Sequence, residues 1–95
     1  MLARDLLEAR LAACVNVIPQ IHSHYRWQGK IEKASECLLV IKSSRELFEL
    51  LRVRLEAAHS YELPEVLAIP VVACSPTYLA WLGTELAGNG SAGVD

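Results

Sequence analysis

The 95-residue sequence has no apolar run long enough to cross a bilayer: the longest, Val66 to Cys74, is broken by Pro70. Met1-Leu2-Ala3-Arg4-Asp5 lacks the apolar stretch of a secretory leader. The three cysteines are an odd number, scattered and without a C-x-x-C pair, which argues against a disulfide framework or a zinc knuckle. A reduced, cytoplasmic protein is expected. There are 9 basic residues against 11 acidic ones, interspersed, for a net charge of −2. Nothing forms the basic stripe that nucleic-acid binding demands. A nucleophile elbow, a glycine-rich phosphate loop and a paired-carboxylate motif are all missing. Only a Cys14 nucleophile with His59 as base could be assembled, and no enzymatic activity is expected. No internal repeat is present.

What the chain does have is apolar residues. They make up 53% of the sequence, and the mean hydropathy is +0.26. A single domain this small buries only about 60–65% of its unfolded surface. A subunit interface is the natural place for the excess, so an oligomer is expected.

One stretch organises the rest. From Leu11-Ala12-Ala13-Cys14 the spacing changes from helical to strictly alternating. Val15, Val17, Pro19, Ile21, Ser23, Tyr25 and Trp27 alternate with Asn16, Ile18, Gln20, His22, His24 and Arg26. The pattern predicts one long strand with an apolar side and a largely polar side. Such a strand would span roughly 40 Å, too long for one small sheet. Part of it is expected to lie against another chain.

Before it, Met1–Ala12 is predicted helical, with Leu2, Leu6, Leu7 and Leu11 on one side and no N-cap residue ahead of them. After it, Gln28-Gly29-Lys30 turns the chain into a second strand from Ile31. There Cys37-Leu38-Leu39-Val40-Ile41 is apolar on both faces, as a strand covered on both sides would be. Ser43-Ser44-Arg45-Glu46 reads as a capping box. It opens a helix with Leu47, Leu50, Leu51, Leu55 and Ala58 at core spacing, ending near His59. Val66–Val72 is a third strand region interrupted by Pro70. Ser75-Pro76 starts a short helix to Leu86, and residues 87–95 are expected to be disordered. The order helix, strand, strand, helix, strand, helix predicts an α+β, ferredoxin-like βαββαβ unit plus a C-terminal helix, with its first strand missing. Residues 1–86 form this single domain.

Several of these residues together resemble the CutA family of divalent-cation tolerance proteins. They are Leu11-Ala12-Ala13-Cys14-Val15-Asn16, then Ser23, Tyr25 and Trp27 with Gly29-Lys30-Ile31, Leu38-Leu39 and Ile41-Lys42. The likeness continues through His59-Ser60-Tyr61-Glu62-Leu63-Pro64-Glu65 and Tyr78-Leu79-Ala80-Trp81-Leu82. The resemblance implies a homotrimer of ferredoxin-like protomers, similar to PII signalling proteins, in which the long hairpin builds the subunit contacts. The family opens with an apolar strand ahead of the first helix, whereas this sequence starts within that helix. Ser60 stands where the family favours proline, His24 where an aliphatic residue is usual, and Cys74 near a usual glycine.

His59 is the leading metal candidate, because neutral imidazole binds copper and zinc. The resemblance links its position to copper. Capping of a helix C-terminus is the plainer account of this histidine. Cys14 is a possible soft ligand, or a small buried hydrophobe, and Cys37 is expected to serve packing. His22 and His24 share a strand face about 6–7 Å apart, close enough to share a metal, although a solvated face explains them as well. Lys42, Tyr61, Glu65 and Trp81 sit at element ends and are candidates for a cleft between subunits, either holding a small anionic ligand or forming an interface ion pair with aromatic packing. Tyr25 and Trp27 read as interface anchors. A divalent cation such as Cu²⁺ is the expected ligand, not required for folding. A PII-like sensor of a small anion and a trimeric interaction scaffold are the alternatives. The scaffold follows from the family's animal members, which are associated with assembly of a membrane enzyme. No membrane is expected as a partner.

Overall fold

The computed structural model describes residues 2–58 and 65–88. Helix α1 (Leu2–Glu8) leads into strands β1 (Cys14–Trp27) and β2 (Lys30–Lys42), a 3-10 turn (Arg45–Leu47), α2 (Phe48–Ala58) and α3 (Pro76–Glu85). The antiparallel β1–β2 ladder is the only sheet among the described residues. The two-residue turn between Trp27 and Lys30 needs left-handed backbone at both positions to match the strand twist. Gln28 (φ 51°) and Gly29 (φ 82°) supply it. The hairpin accounts for the 46 Å long axis of the molecule, in keeping with about 3.3 Å per strand residue. The radius of gyration of 15.2 Å exceeds the roughly 12 Å of a compact chain this size.

The strand does not alternate without interruption. Ile18 pairs with Leu38 but Ile21 pairs with Glu36, so Pro19 and Gln20 together face Cys37. This is a β-bulge. Proline has no N–H to give to the ladder, and Gln20 takes a left-handed φ of 60°. One extra residue exchanges the two faces beyond it. Val15 and Val17, with Ile41 and Leu39 across from them, therefore share a face with His22, His24 and Arg26, not with Ile21, Tyr25 and Trp27. The expected apolar and polar sides are thus corrected: each side changes character at Pro19–Gln20.

Helix α1 stops at Glu8, earlier than the spacing predicts. Arg10 adopts φ 59°, its N–H bonds the Leu7 carbonyl at 3.0 Å, and the Leu11 N–H reaches back to Leu6 at 3.0 Å. This pair of bonds is a Schellman cap. Leu6 and Leu11, the two residues that meet across it, are both buried. With Ala12, Leu47, Leu51, Leu55 and Leu86 they form the core, against which Val15, Leu39, Ile41, Val66 and Leu82 pack. The core therefore sits on the base of one hairpin face only. Leu7 and Leu50 point away from it and are exposed.

Three further expectations change. The capping box does not form: Ser43 Oγ donates to the Leu11 carbonyl at 2.7 Å, and the cap residue Ser44 makes no side-chain cap bond. A buried tertiary acceptor has taken the hydroxyl. Val66–Val72 joins no ladder among the described residues; only Val66 packs on the core, and the large apolar side chains after it are open, from 74% exposed at Leu67 to 96% at Val72. Cys37 is exposed, not packed, because it faces the bulge beyond the reach of the helices. Pro76 opens α3 as expected.

Leu6→Ala, at the fully buried centre of the cluster, should lower stability by about 2–5 kcal/mol in urea unfolding. On α2, Arg52 bonds Glu49 at 2.8 Å and Glu56 at 2.9 Å. Its hydrogen bond to Glu49, then its charge, hold that carboxyl below the usual glutamate range. A lowered folded-state value stabilises above the unfolded titration range and is lost as pH falls through the folded one. Arg52→Gln should raise the Glu49 midpoint toward an ordinary glutamate in an NMR carboxyl titration and remove that acid-side dependence.

Candidate functional site at the base of the hairpin

Cross-strand partners share a face, so the side away from the core carries Cys14, Asn16, Ile18, Ile21, Ser23, Tyr25 and Trp27. Opposite them stand Lys42, Val40, Leu38, Glu36, Ala34, Glu32 and Lys30. Ile18, Leu38, Val40 and Tyr25 are 39–48% exposed there, a run of large apolar side chains along an open sheet. Tyr25 and Trp27 lie at its distal end.

At the base of this face, Cys14 stands directly across from Lys42. The Lys42 ammonium donates to the Asn16 side-chain oxygen and lies 3.8 Å from Cys14 Sγ. An amide oxygen and a sulfur satisfy the lysine without neutralising it, and no ion pair joins it to a carboxylate among the described residues. The sequence reading missed Asn16. Its spacing of two from Cys14, on one strand face, is the signal that could have found it.

Within a single chain the remaining described candidates are not in contact with Lys42. Glu65 is exposed and does not meet Lys42. Trp81 packs on Tyr78 along α3, ring centroids 5.5 Å apart, far along the chain from the thiol. His59 and Tyr61 lie outside the described residues. His22 and His24 stand on the opposite face, exposed. Among the described residues no three His, Cys, Asp or Glu side chains converge as metal ligands, and Cys14 meets an ammonium, which opposes a cation. The described part of the site does not by itself fit a metal. No helix among the described residues is long and apolar enough to cross a membrane.

Comparison with known proteins gives this architecture a family. The profile of the CutA1 divalent ion tolerance protein family matches residues 1–85. The divalent-cation tolerance protein CutA of Thermus thermophilus is 43% identical over 81 residues, 85% of this chain and 79% of that protein. The mouse protein CutA is 49% identical over 81 residues, again 85% of this chain. The chain spans less than half the length of the mouse and Arabidopsis relatives, 46% and 44%. Among solved structures, CutA1 of Oryza sativa superposes with a TM-score of 0.88 at 39% identity, covering 93% of this chain and 81% of that one. The PII-like protein CutA of Nostoc superposes with a TM-score of 0.80 at 38% identity, covering 87% and 81%. The long bulged hairpin, its one-sided helical layer and the matched residues have one reading: the chain belongs to the CutA1 divalent ion tolerance family.

Proposed function

We propose that the chain works as a homotrimer in divalent-cation tolerance, without enzymatic activity, and that copper is the ion it answers to. The observation that carries this reading is the open apolar hairpin face in a chain matched over residues 1–85 by a divalent ion tolerance family. Exposed apolar surface of this extent is the mark of a subunit interface. In the trimer, His59 and Cys14 are the proposed donors: imidazole and thiolate both suit copper. A thiolate can serve only once Lys42 has moved off the sulfur. The free thiols of Cys14, Cys37 and Cys74 favour a reducing compartment such as the cytoplasm. Relatives include a chloroplastic protein in Arabidopsis and a periplasmic one in Archaeoglobus.

A second reading draws on Lys42. An ammonium held by neutral acceptors, in a family that includes a PII-like protein, suits a small anion in a cleft between subunits.

Light scattering should give three times the 10.5 kDa chain mass. Leu38→Glu places a charge on the open face and should yield monomers with unchanged helix content. A parent chain that is monomeric removes the trimer. In Cu²⁺ titrations, His59→Ala and Cys14→Ser should each weaken binding by about tenfold or more, and an affinity unchanged by both removes these donors.

A further inference from the structure

The exchange of faces at the bulge has a second consequence, at the distal half of the helix-side face. There β1 presents His22, His24 and Arg26, and β2 presents Ser35, Lys33 and Ile31 across from them. His24 lies directly opposite Lys33, and His22 directly opposite Ser35. Both acidic residues of the hairpin, Glu32 and Glu36, are on the other face. All three ion pairs among the described residues belong to α1 and α2, so none of these cationic groups is neutralised within the hairpin. His22, His24, Lys33, Ala34 and Ser35 line a shallow concavity of about 350 Å³. In a chain of net charge −2, this is a face with four side chains able to carry positive charge and no carboxylate.

We propose that this concavity binds a small phosphate-bearing anion between the two strands, held by His22, His24, Lys33 and the Ser35 hydroxyl, with Arg26 at its edge. Like charges directly opposite on a sheet repel, and an anion between His24 and Lys33 turns that repulsion into two charge-assisted hydrogen bonds. Two imidazoles could instead chelate a divalent cation. Lys33 and Arg26 would repel it, and the hairpin places no carboxylate on this face to offset its charge.

The two outcomes respond to pH with opposite sign. Histidine gains its charge between about pH 8 and 5, so anion binding strengthens as pH falls, whereas metal binding weakens because it needs neutral imidazole. Among the described residues, the hairpin groups on the same face as the two histidines are Lys33, Arg26, Ser35 and Cys37, none of which reverses that sign. Inorganic pyrophosphate titrated into the whole chain, followed by the amide shifts of residues 33–37, should bind more tightly at about pH 5.5 than at about pH 8. The double variant His22→Gln, His24→Gln should bind about tenfold more weakly at the lower pH and lose the pH dependence. Lys33→Gln should weaken binding at both. These side chains are exposed, and far-UV circular dichroism checks that the variants fold. Equal pyrophosphate binding by parent and double variant overturns the proposal. So does Zn²⁺ binding at the two imidazoles that tightens with pH while pyrophosphate leaves the shifts unmoved.

Discussion

The single constraint on which the molecule depends is the extra residue at Pro19–Gln20. Strand side chains alternate with a period of two, so one inserted residue reassigns every later side chain. In a regular strand, Ile21, Tyr25 and Trp27 would stand on the face that carries Val15 and Val17. They would overhang the helical layer beyond the reach of the core, while Ile18, Leu38 and Val40 would share the other face with His22, His24 and Arg26. Both faces would then be mixed along their length. With the bulge, Ile18 and Leu38 continue into Ile21, Tyr25 and Trp27, so the large apolar side chains of β1 beyond the core collect on one face, with Glu36, Glu32 and Lys30 across from the last three. The other face divides cleanly, with core at the base and cations toward the tip.

That division explains how much of the fold could be read from residues. Long strands, the Gln28-Gly29 turn, α2 and the start at Pro76 follow from local rules about period, left-handed backbone and missing N–H groups. The exchange of faces does not, because alternation in sequence carries no mark of an inserted residue. Pro19 inside the strand was the one hint. The end of α1 was hidden for a similar reason. A Schellman cap ordinarily carries glycine at its left-handed position, and here Arg10 takes that conformation. Its carbonyl accepts from Ala87 at 2.8 Å and its guanidinium reaches the Thr84 carbonyl at 3.3 Å. Contacts with residues more than seventy positions away hold a strained backbone that no local signal announces. Ser43 fails as a cap on the same principle, since its hydroxyl finds the Leu11 carbonyl in a neighbouring element.

The candidate site was legible in its parts and not in its grouping. Cys14 and Lys42 stood out as single residues, yet only the hairpin register sets them opposite one another, with Asn16 as the lysine's acceptor. Lys42, Glu65 and Trp81 were joined by their places at element ends, which says nothing of which ends meet. Within one chain the geometry pairs Lys42 with Cys14 and Asn16, and Trp81 with Tyr78. It leaves an ammonium next to a thiol, a pairing that favours an anion in its present state and a soft cation only if the lysine swings away.

The two faces of a sheet point in opposite directions, and this links assembly to the charge on the arm. In the proposed trimer, contacts between copies built on the face from Ile18 and Val40 to Tyr25 would hide that face and turn the opposite one outward. The core at the base is already covered by α1 and α2. What would remain outward in that trimer is the distal half with His22, His24, Arg26 and Lys33, once per subunit. The bulge thus does two jobs with one residue: it keeps Ile18, Ile21, Tyr25 and Trp27 on one face, the face proposed to meet other copies, and it collects the arm's histidines, Arg26 and Lys33 on the other, where they are exposed. A cationic group buried in the contact would have to shed its water without a carboxylate to receive it. The helix-side face would incur that cost at four side chains, whereas the face proposed for assembly carries two, Lys30 and Lys42, together with the carboxylates of Glu32 and Glu36.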